Sequence, residues 1–234
     1  MNERKIIKLI ALALILCVLI FTVFAEIRHF QNRQLFEAIN ANDYDGVSTA
    51  IQAGANINCR YRAFVLLPEL VGRNPTPLIE ACYGKSEEII MLLLEKGADV
   101  NRCDDVTKES PLSVSVQVKN YDIAYELIDR GADINAYDIS NDSILSRCCS
   151  QDADPESEGH KMFRYLLNLN ASLETPLGNI LHNAVIRQDT YVIEYLLDHD
   201  LVDPKEKDVE GQTPLQLAEK LGYDQIAELL RQRT

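Results

Sequence analysis

The stretch that decides the fold is residues 76–101, TPLIEACYGKSEEIIMLLLEKGADVN. It opens on Thr-Pro-Leu, continues through an apolar run, and ends on Gly-Ala-Asp-Val-Asn. Threonine is a preferred helix cap, and proline suits the first helical turn because no backbone N–H is needed there. Glycine tolerates the left-handed conformation that closes a helix. The stretch therefore predicts a hairpin of two short helices that ends at Gly97.

The same unit recurs along the chain. Residues 110–135, SPLSVSVQVKNYDIAYELIDRGADIN, match it position by position, and GQTPL at 211–215 starts the last copy. The first helices are anchored by leucines spaced 43, 34, 33, 36 and 34 residues apart, at Leu35, Leu78, Leu112, Leu145, Leu181 and Leu215. A hairpin this short cannot bury its own apolar faces, so neighbouring units must cover each other. We predict an all-α solenoid of about six units, at 33–75, 76–109, 110–142, 143–178, 179–212 and 213–234.

The period, the Thr-Pro-Leu start and the Gly-Ala-Asp-Val-Asn end resemble the ankyrin repeat, over residues 33–234. The resemblance implies a non-catalytic module that binds a protein, without a cofactor or a small-molecule substrate. It also implies that contacts come from the fingers, which are the loops between hairpins, and from exposed positions of the first helices. In this chain the implied finger residues are Val106, Thr107, Ile139, Ser140, Val209 and Glu210. The implied helix residues are Tyr83, Gln117, Ile186 and Lys220.

Composition narrows the possible partners. The chain has 234 residues, is 47% hydrophobic and carries a net charge of −13. The apolar fraction is too high for a disordered protein, and the negative charge argues against unaided binding of nucleic-acid phosphates. Residues 1–25 carry +2, so residues 26–234 carry −15. This charge predicts a protein partner with a basic patch and an association rate that falls with salt.

The N-terminal segment is a separate feature, predicted as residues 1–25. Seventeen uncharged residues, Leu9 to Ala25, follow a basic flank, and a helix of that length is about 25 Å long. Counting from Ile6, with Lys8 reaching back to the interface, lengthens it enough to span a membrane. The basic flank predicts a cytoplasmic N-terminus and a periplasmic or extracellular domain at 26–234. Two interpretations remain: an uncleaved single-pass anchor, or a signal peptide cleaved near Ala25 that releases a soluble protein.

Two insertions interrupt the repeat. The first, residues 61–75, is rich in apolar side chains, and Tyr61, Phe64, Leu66 and Leu67 are candidate contact residues. It is interpreted either as a partner-binding finger or as a lid over the first repeat. The second, residues 151–159, is acidic, and we interpret it as a solvated surface loop rather than a cation site.

The sequence contains no recognisable catalytic motif. We find no phosphate-binding glycine loop, no nucleophile elbow and no metal-binding HExxH or CxxC spacing. His182, in the Leu-His-Asn-Ala segment of the fifth unit, is expected to support its hairpin, whereas His29, His160 and His199 are expected at the surface.

The six cysteines do not form an obvious disulfide framework. Cys82, Cys148 and Cys149 are expected as small buried residues on first helices. Cys59 and Cys103 occupy equivalent fingers of consecutive units and form the one pair for which a disulfide stays open.

These observations favour a protein-binding module that is tethered to a membrane or exported. An alternative is an exported inhibitor or immunity-type protein that neutralises one basic enzyme. An enzyme and a structural membrane-assembly factor are less favoured.

Overall fold

A computed structural model describes residues 3–60, 73–84, 86–151 and 154–233. This part of the chain has twelve helices: α1 (Glu3–Asn40), α2 (Tyr44–Gln52), α3 (Pro77–Gly84), α4 (Glu87–Glu95), α5 (Pro111–Gln117), α6 (Tyr121–Asp129), α7 (Ile144–Arg147), α8 (Glu158–Asn168), α9 (Ile180–Arg187), α10 (Thr190–Asp198), α11 (Pro214–Leu221) and α12 (Asp224–Arg233). Two short strands, β1 (Glu174–Thr175) and β2 (Gly178–Asn179), pair antiparallel. The predicted class of helical hairpin repeats is confirmed.

The chain divides into two compact units. Unit 1 comprises Met1–Leu66 and Pro75–Asp99, and unit 2 comprises Leu67–Asn74 and Val100–Thr234. In unit 1, α1 packs on α2 and α3, and α4 packs on α2 and α3. In unit 2, the first helices of successive hairpins pack in chain order, α5 on α7, α7 on α9 and α9 on α11.

The first helices begin where the sequence predicts. Ser110 and Thr213 each cap a helix whose first turn contains proline, and each forms a reciprocal capping box. Thr76 accepts a hydrogen bond through Oγ1 from the backbone N–H of Ile79 at 3.3 Å. These contacts satisfy helix-end donors that lack a partner within the helix. The cap positions therefore fix where each hairpin starts.

The second helices end in the left-handed conformation. Gly97 and Gly131 have φ of 87° and 85°, and the divergent copies place Asn170 and Asp200 there at 59° and 50°. Glycine pays no Cβ penalty in this region, and asparagine and aspartate are the side chains that tolerate it best. The prediction of left-handed closure at all four positions is confirmed.

The asparagine that ends each repeat motif joins one hairpin to the next. In unit 2, Asn101 accepts from Asp133 N–H at 2.8 Å and donates to the Gly131 carbonyl at 3.0 Å. Asn135 accepts from Ser172 N–H at 2.8 Å. In unit 1, Asn58 makes the same pair of bonds to Asp99 N–H and the Gly97 carbonyl. These bonds hold successive turns at a fixed spacing.

The core is the set of apolar faces that neighbouring hairpins cover. Large side chains that are fully buried occur in hairpins of both units: Leu78, Ile79, Ile89, Ile90 and Leu93 in unit 1, and Leu112, Leu127, Ile144, Leu145 and Phe163 in unit 2. Each lies on the apolar side of a short helix of one to three turns. Such a helix gains most of its stability from packing rather than from its own propensity.

Helix α1 does not end at Ala25. It runs unbroken from the apolar segment to Asn40, and its last turns bury Leu35 and Phe36 in the first hairpin. Side chains from Leu12 to Phe24 are exposed. Among the described residues, α1 is the one helix long and apolar enough to cross a membrane, a test that signal sequences also pass.

The fourth hairpin differs from the prediction. Helix α7 has only four residues, Cys148 caps its C-terminus, and Cys149 lies beyond it. The expectation that both cysteines are neighbours on a helix is therefore wrong, although both side chains are buried as expected. The segment leaves the helix because Ser150 N–H bonds Asp189 Oδ2 at 2.7 Å, which draws the chain toward α10.

Candidate functional site

The fingers of unit 2 share one construction. They lie at 104–109, 138–142, 174–179 and 208–212, between successive hairpins. Three of them begin with an aspartate whose Oδ1 accepts two backbone N–H bonds from its own loop. The donors are Val106 and Thr107 for Asp104, Ser140 and Asp142 for Asp138, and Glu210 and Gln212 for Asp208. Such aspartate turns fix a loop without a regular ladder.

Each of these three loops also closes on itself. The N–H of the leading aspartate donates to a carbonyl at the far end of the loop, at 2.8 Å from Glu109, 3.2 Å from Asp142 and 2.9 Å from Gln212. A left-handed residue precedes the closure: Lys108, Asn141 or Gly211. The fingers are therefore defined turns that present their tips at fixed positions.

The four fingers lie side by side in chain order. Ile139 N–H donates to the Thr107 carbonyl at 2.9 Å. The Tyr137 hydroxyl donates to the Glu174 carbonyl at 2.7 Å, and Val209 N–H donates weakly to the Leu177 carbonyl at 3.5 Å. We call this set of loops the finger row.

The tips of the finger row expose aliphatic side chains. Val106 is 41% exposed, Ile139 66%, Leu177 38% and Val209 71%. A single exposed aliphatic residue is ordinary on a protein surface. Here one exposed aliphatic residue lies near the tip of each of four adjacent loops, and clustered apolar surface of this kind marks interaction sites.

Most of the predicted contact residues in unit 2 are exposed on the fingers and first helices. Val106, Ile139, Ser140, Val209 and Glu210 are exposed at finger tips, and Thr107 is half-buried. Gln117, Ile186 and Lys220 are exposed on α5, α9 and α11. Lys220 Nζ forms an ion pair with Glu210 at 2.9 Å, so these two candidate contact residues interact with each other.

The remaining candidates lie elsewhere. Tyr83 is in unit 1, half-buried on α3. Tyr61, Phe64, Leu66 and Leu67 lie outside the described residues, so the choice between finger and lid stays a prediction. Leu177 was missed because the repeat alignment is weakest at the fifth copy. Its signal was the Thr-Pro-Leu-Gly segment at 175–178, which is a turn sequence with an apolar tip.

A polar cavity of about 520 Å³ lies beside the second finger. It exists because α7 stops after one turn, which leaves room between the ends of α5 and α9. Arg147, only 9% exposed, lines the cavity and donates to Gln117 Oε1 at 2.7 Å. Its guanidinium also pairs with the nearly buried carboxylates of Asp138 and Glu109. This cluster anchors the second finger to the helix behind it, and sequence reasoning did not identify it.

Tyr121 lines the same cavity and predicts a pH response. Burial, and secondly the neighbouring Cys148 and Glu158, raise the pKa of Tyr121 to about 12. Because an unfolded tyrosine ionises near 10, the folded state retains its proton where the unfolded chain loses it. We expect the free energy of unfolding to fall as the pH rises from about 10 to about 12. Urea unfolding across this range checks this, and Tyr121→Phe is expected to flatten the slope. An unchanged slope in the variant would contradict the assignment.

The expectation that His160 lies at the surface is wrong. Its ring is fully buried, with Nε2 3.0 Å from Asp189 Oδ2 and Nδ1 2.7 Å from the Asp154 carbonyl. His160 follows the second insertion and lies in the first turn of α8, where its ring faces α10. Both ring nitrogens are engaged, so the pair is structural. The ring nitrogens of His182 contact Asn179 and the Gln212 carbonyl, so its predicted support of the hairpin is confirmed, and His29 and His199 are exposed as expected.

The two adjacent cysteines of the fourth hairpin are poorly placed for nucleophilic chemistry. Burial raises the pKa of the Cys148 and Cys149 thiols well above the usual range, which keeps them protonated and unreactive. Cys59 lies in unit 1 and Cys103 in unit 2, and whether these two pair stays an open question. Within the described ranges, no group of three or more histidine, cysteine, aspartate or glutamate side chains is placed to hold a metal.

Comparison with known protein families identifies the same repeats. A family model described as ankyrin repeats, in three copies, matches residues 35–138 and 151–234. The gap between the two matched ranges includes α7, where the structure also departs from the regular hairpin. No curated protein is significantly similar to the chain.

Proposed function

Because the chain belongs to the ankyrin-repeat family, whose repeats are protein–protein interaction modules, we propose that its finger row binds a specific protein without catalysis. The observation that carries this proposal is the set of four exposed aliphatic tips on hydrogen-bonded turns. Pre-formed turns lose little conformational entropy on binding, and aliphatic anchors release water when a partner covers them. Gln117, Ile186 and Lys220 on the adjoining helices extend the proposed surface.

Charge supports a partner with a basic patch. The fingers are rich in aspartate, and residues 26–234 carry −15 overall. Complementary charges across an interface mainly accelerate association and are screened by salt. A basic protein partner therefore fits this chain better than an acidic one.

We further propose that α1 holds the repeats at a membrane. The apolar part of the helix is exposed along its whole described length, and a bilayer would cover it. The basic N-terminal flank favours a cytoplasmic N-terminus, with the repeats on the periplasmic or extracellular side. The alternative is cleavage near Ala25, which would release a soluble repeat domain.

A second candidate function is an exported inhibitor or immunity-type protein that neutralises one basic enzyme. It rests on the acidic charge of the exported part, and it predicts one tight partner rather than several weak ones. The number and affinity of captured proteins separate this function from a scaffold. Crosslinks to neighbouring membrane proteins would instead favour a membrane-assembly factor, and stabilisation by a small metabolite would favour an enzyme.

The proposal predicts that the finger tips carry much of the affinity. Replacing Val106, Ile139 and Val209 with serine is expected to weaken partner capture from native membranes by at least about tenfold, because the three substitutions remove apolar surface that the partner would bury. Melting should be almost unchanged because all three side chains are already exposed. Affinity capture followed by mass spectrometry measures both the partner and its recovery.

The matched control replaces three other exposed leucines of unit 2, Leu169, Leu201 and Leu221, with serine. This variant removes similar apolar surface away from the finger tips and should capture the partner normally. Equal losses in both triple variants, or undiminished capture by the finger variant, would count against the finger row as the binding surface.

A further inference from the structure

The proposed anchor has a geometric consequence for unit 1. We propose that the edge of the first hairpin formed by Gln31, Asn32 and the Ala53–Asn56 loop rests against the outer edge of the lipid headgroup layer. This inference rests on the proposed function, because it requires that α1 remains uncleaved and spans the bilayer. The surface it assigns binds lipid headgroups and is distinct from the finger row of unit 2.

Helix α1 contains no flexible linker between the apolar segment and the first repeat. The helix continues from the apolar segment into the first repeat without a break in its described backbone. A helix rises 1.5 Å per residue, so the distance between any repeat residue and the end of the apolar run is fixed. A flexible tether would allow many distances, whereas this helix allows only small changes through tilt.

The first contacts of the repeat lie close to the end of the apolar run. Gln31 Nε2 donates to the Ala53 carbonyl, and Asn32 Oδ1 accepts from Asn56 N–H at 2.8 Å. Gln31 is six residues beyond Ala25, or about 9 Å along the axis. The headgroup region on one side of a bilayer is about 5–8 Å deep. The loop that these two side chains hold therefore lies at the outer edge of that layer.

The opposite end of the same hairpin lies farther from the apolar run. After Asn40 the chain turns, with Asp43 N–H donating to the Ala38 carbonyl, and α2 then returns toward the membrane. Asn42, in the turn, is about 25 Å along the axis from Ala25. In this orientation the edge of the hairpin at the C-terminus of α2 lies near the membrane, and the edge at the N-terminus of α2 lies far from it. We call these the near edge and the far edge.

Side-chain chemistry agrees with this orientation. Just beyond the apolar run, Arg28 and His29 stand against Glu26, and Arg33 pairs with Glu37 at 2.8 Å, so the segment is nearly neutral in a strongly acidic chain. Ile27 and Phe30 are 47% and 62% exposed there, although they lie outside the apolar run. The far edge carries Asp43 and Asp45 instead. Exposed apolar side chains favour burial at the membrane interface, whereas charged aspartates favour water.

The test compares two positions in one hairpin. A fluorescent amino acid replaces Gln52 at the near edge or Asn42 at the far edge, both of which are exposed. The full chain is reconstituted in phosphatidylcholine–phosphatidylglycerol vesicles that contain a headgroup-attached quencher lipid. Quenching at Gln52 should be several-fold stronger than at Asn42. A six-residue Gly/Ser insertion after Ala25 should reduce quenching at Gln52 to the level seen at Asn42.

The outcomes separate the inference from the proposal beneath it. Carbonate extraction of the same vesicles first reports whether the chain is inserted. A chain that is extracted overturns the anchor, and with it this inference. If the chain spans the bilayer but quenching is equal at both positions, only the proposed headgroup contact is overturned. The same holds if the Gly/Ser insertion leaves quenching at Gln52 unchanged.

Discussion

Replacing His160 with alanine is expected to lower the free energy of unfolding by about 3–5 kcal/mol, the usual cost of breaking a buried pair from one side. Asp189 Oδ2 bonds both His160 Nε2 and Ser150 N–H, while its Oδ1 caps α10 through Val192 N–H at 2.9 Å. His160, Asp189 and Val192 are fully buried in unit 2, and Ser150 is half-buried. The substitution removes one partner of a fully buried carboxylate and leaves a cavity beside Tyr191, whose ring lies 4.3 Å from the imidazole.

Urea denaturation followed by circular dichroism measures this change. The control is His199→Ala, because His199 is exposed and stacks on Tyr195 at the surface, so its loss should cost less than about 1 kcal/mol. If the two variants were equally stable, the buried pair would not carry the packing between α8 and α10.

Phe163→Ala is expected to destabilise the protein by about 3–5 kcal/mol, as large-to-small substitutions of buried aromatics do. Phe163 is completely buried on α8, and its ring meets Tyr195 of α10 edge-on with centroids 6.3 Å apart. The contact joins the fourth and fifth hairpins. Because repeat proteins are stabilised by interfaces between neighbours, the loss should also make denaturation less cooperative.

Two further variants sharpen this prediction. Phe163→Leu keeps most of the buried volume and should cost less than about 1.5 kcal/mol. Leu169→Ala removes aliphatic carbon from the exposed end of α8 and should be nearly neutral. A single sharp transition in Phe163→Ala, with a loss below about 1 kcal/mol, would contradict interface-driven stability.

Much of the fold was predictable from short motifs. The Thr-Pro-Leu caps and the left-handed residues at Gly97, Gly131, Asn170 and Asp200 depend on local backbone physics, and each occurs where the sequence places it. The asparagine that ends the Gly-Ala-Asp-Val-Asn motif was recognised, but its role in joining successive hairpins was not. Its bonds to Asp133 and Gly131 join residues about 30 positions apart, and no local pattern reports them.

The errors concentrate in the fourth hairpin, where an insertion breaks the period. Counting along a repeat assigned Cys148 and Cys149 to a helix and His160 to a surface. In the structure, Asp189 draws in both Ser150 and His160, and this contact overrides the expected register. Arg147 was missed for a related reason. A charged residue at the end of a first helix is normally solvated, and here Asp138 and Glu109 surround it.

The candidate surface was only partly predictable. The finger positions follow from the repeat, so Val106, Ile139 and Val209 were found, whereas Leu177 lies in a finger of different length. That the tips belong to one continuous row depends on bonds between loops, such as Ile139 N–H to the Thr107 carbonyl. Those bonds are tertiary contacts without a sequence signature.

Site-specific photo-crosslinking in native membranes tests most directly whether a protein contacts the finger row. A photoreactive amino acid is placed at Ile139 or at Val209, and at Glu194, which is exposed in the middle of α10, as the control. The account predicts that both finger positions attach to the same protein and that Glu194 attaches to none. An adduct at Glu194 alone, or no adduct at either finger while the unmodified chain still captures its partner, would contradict it.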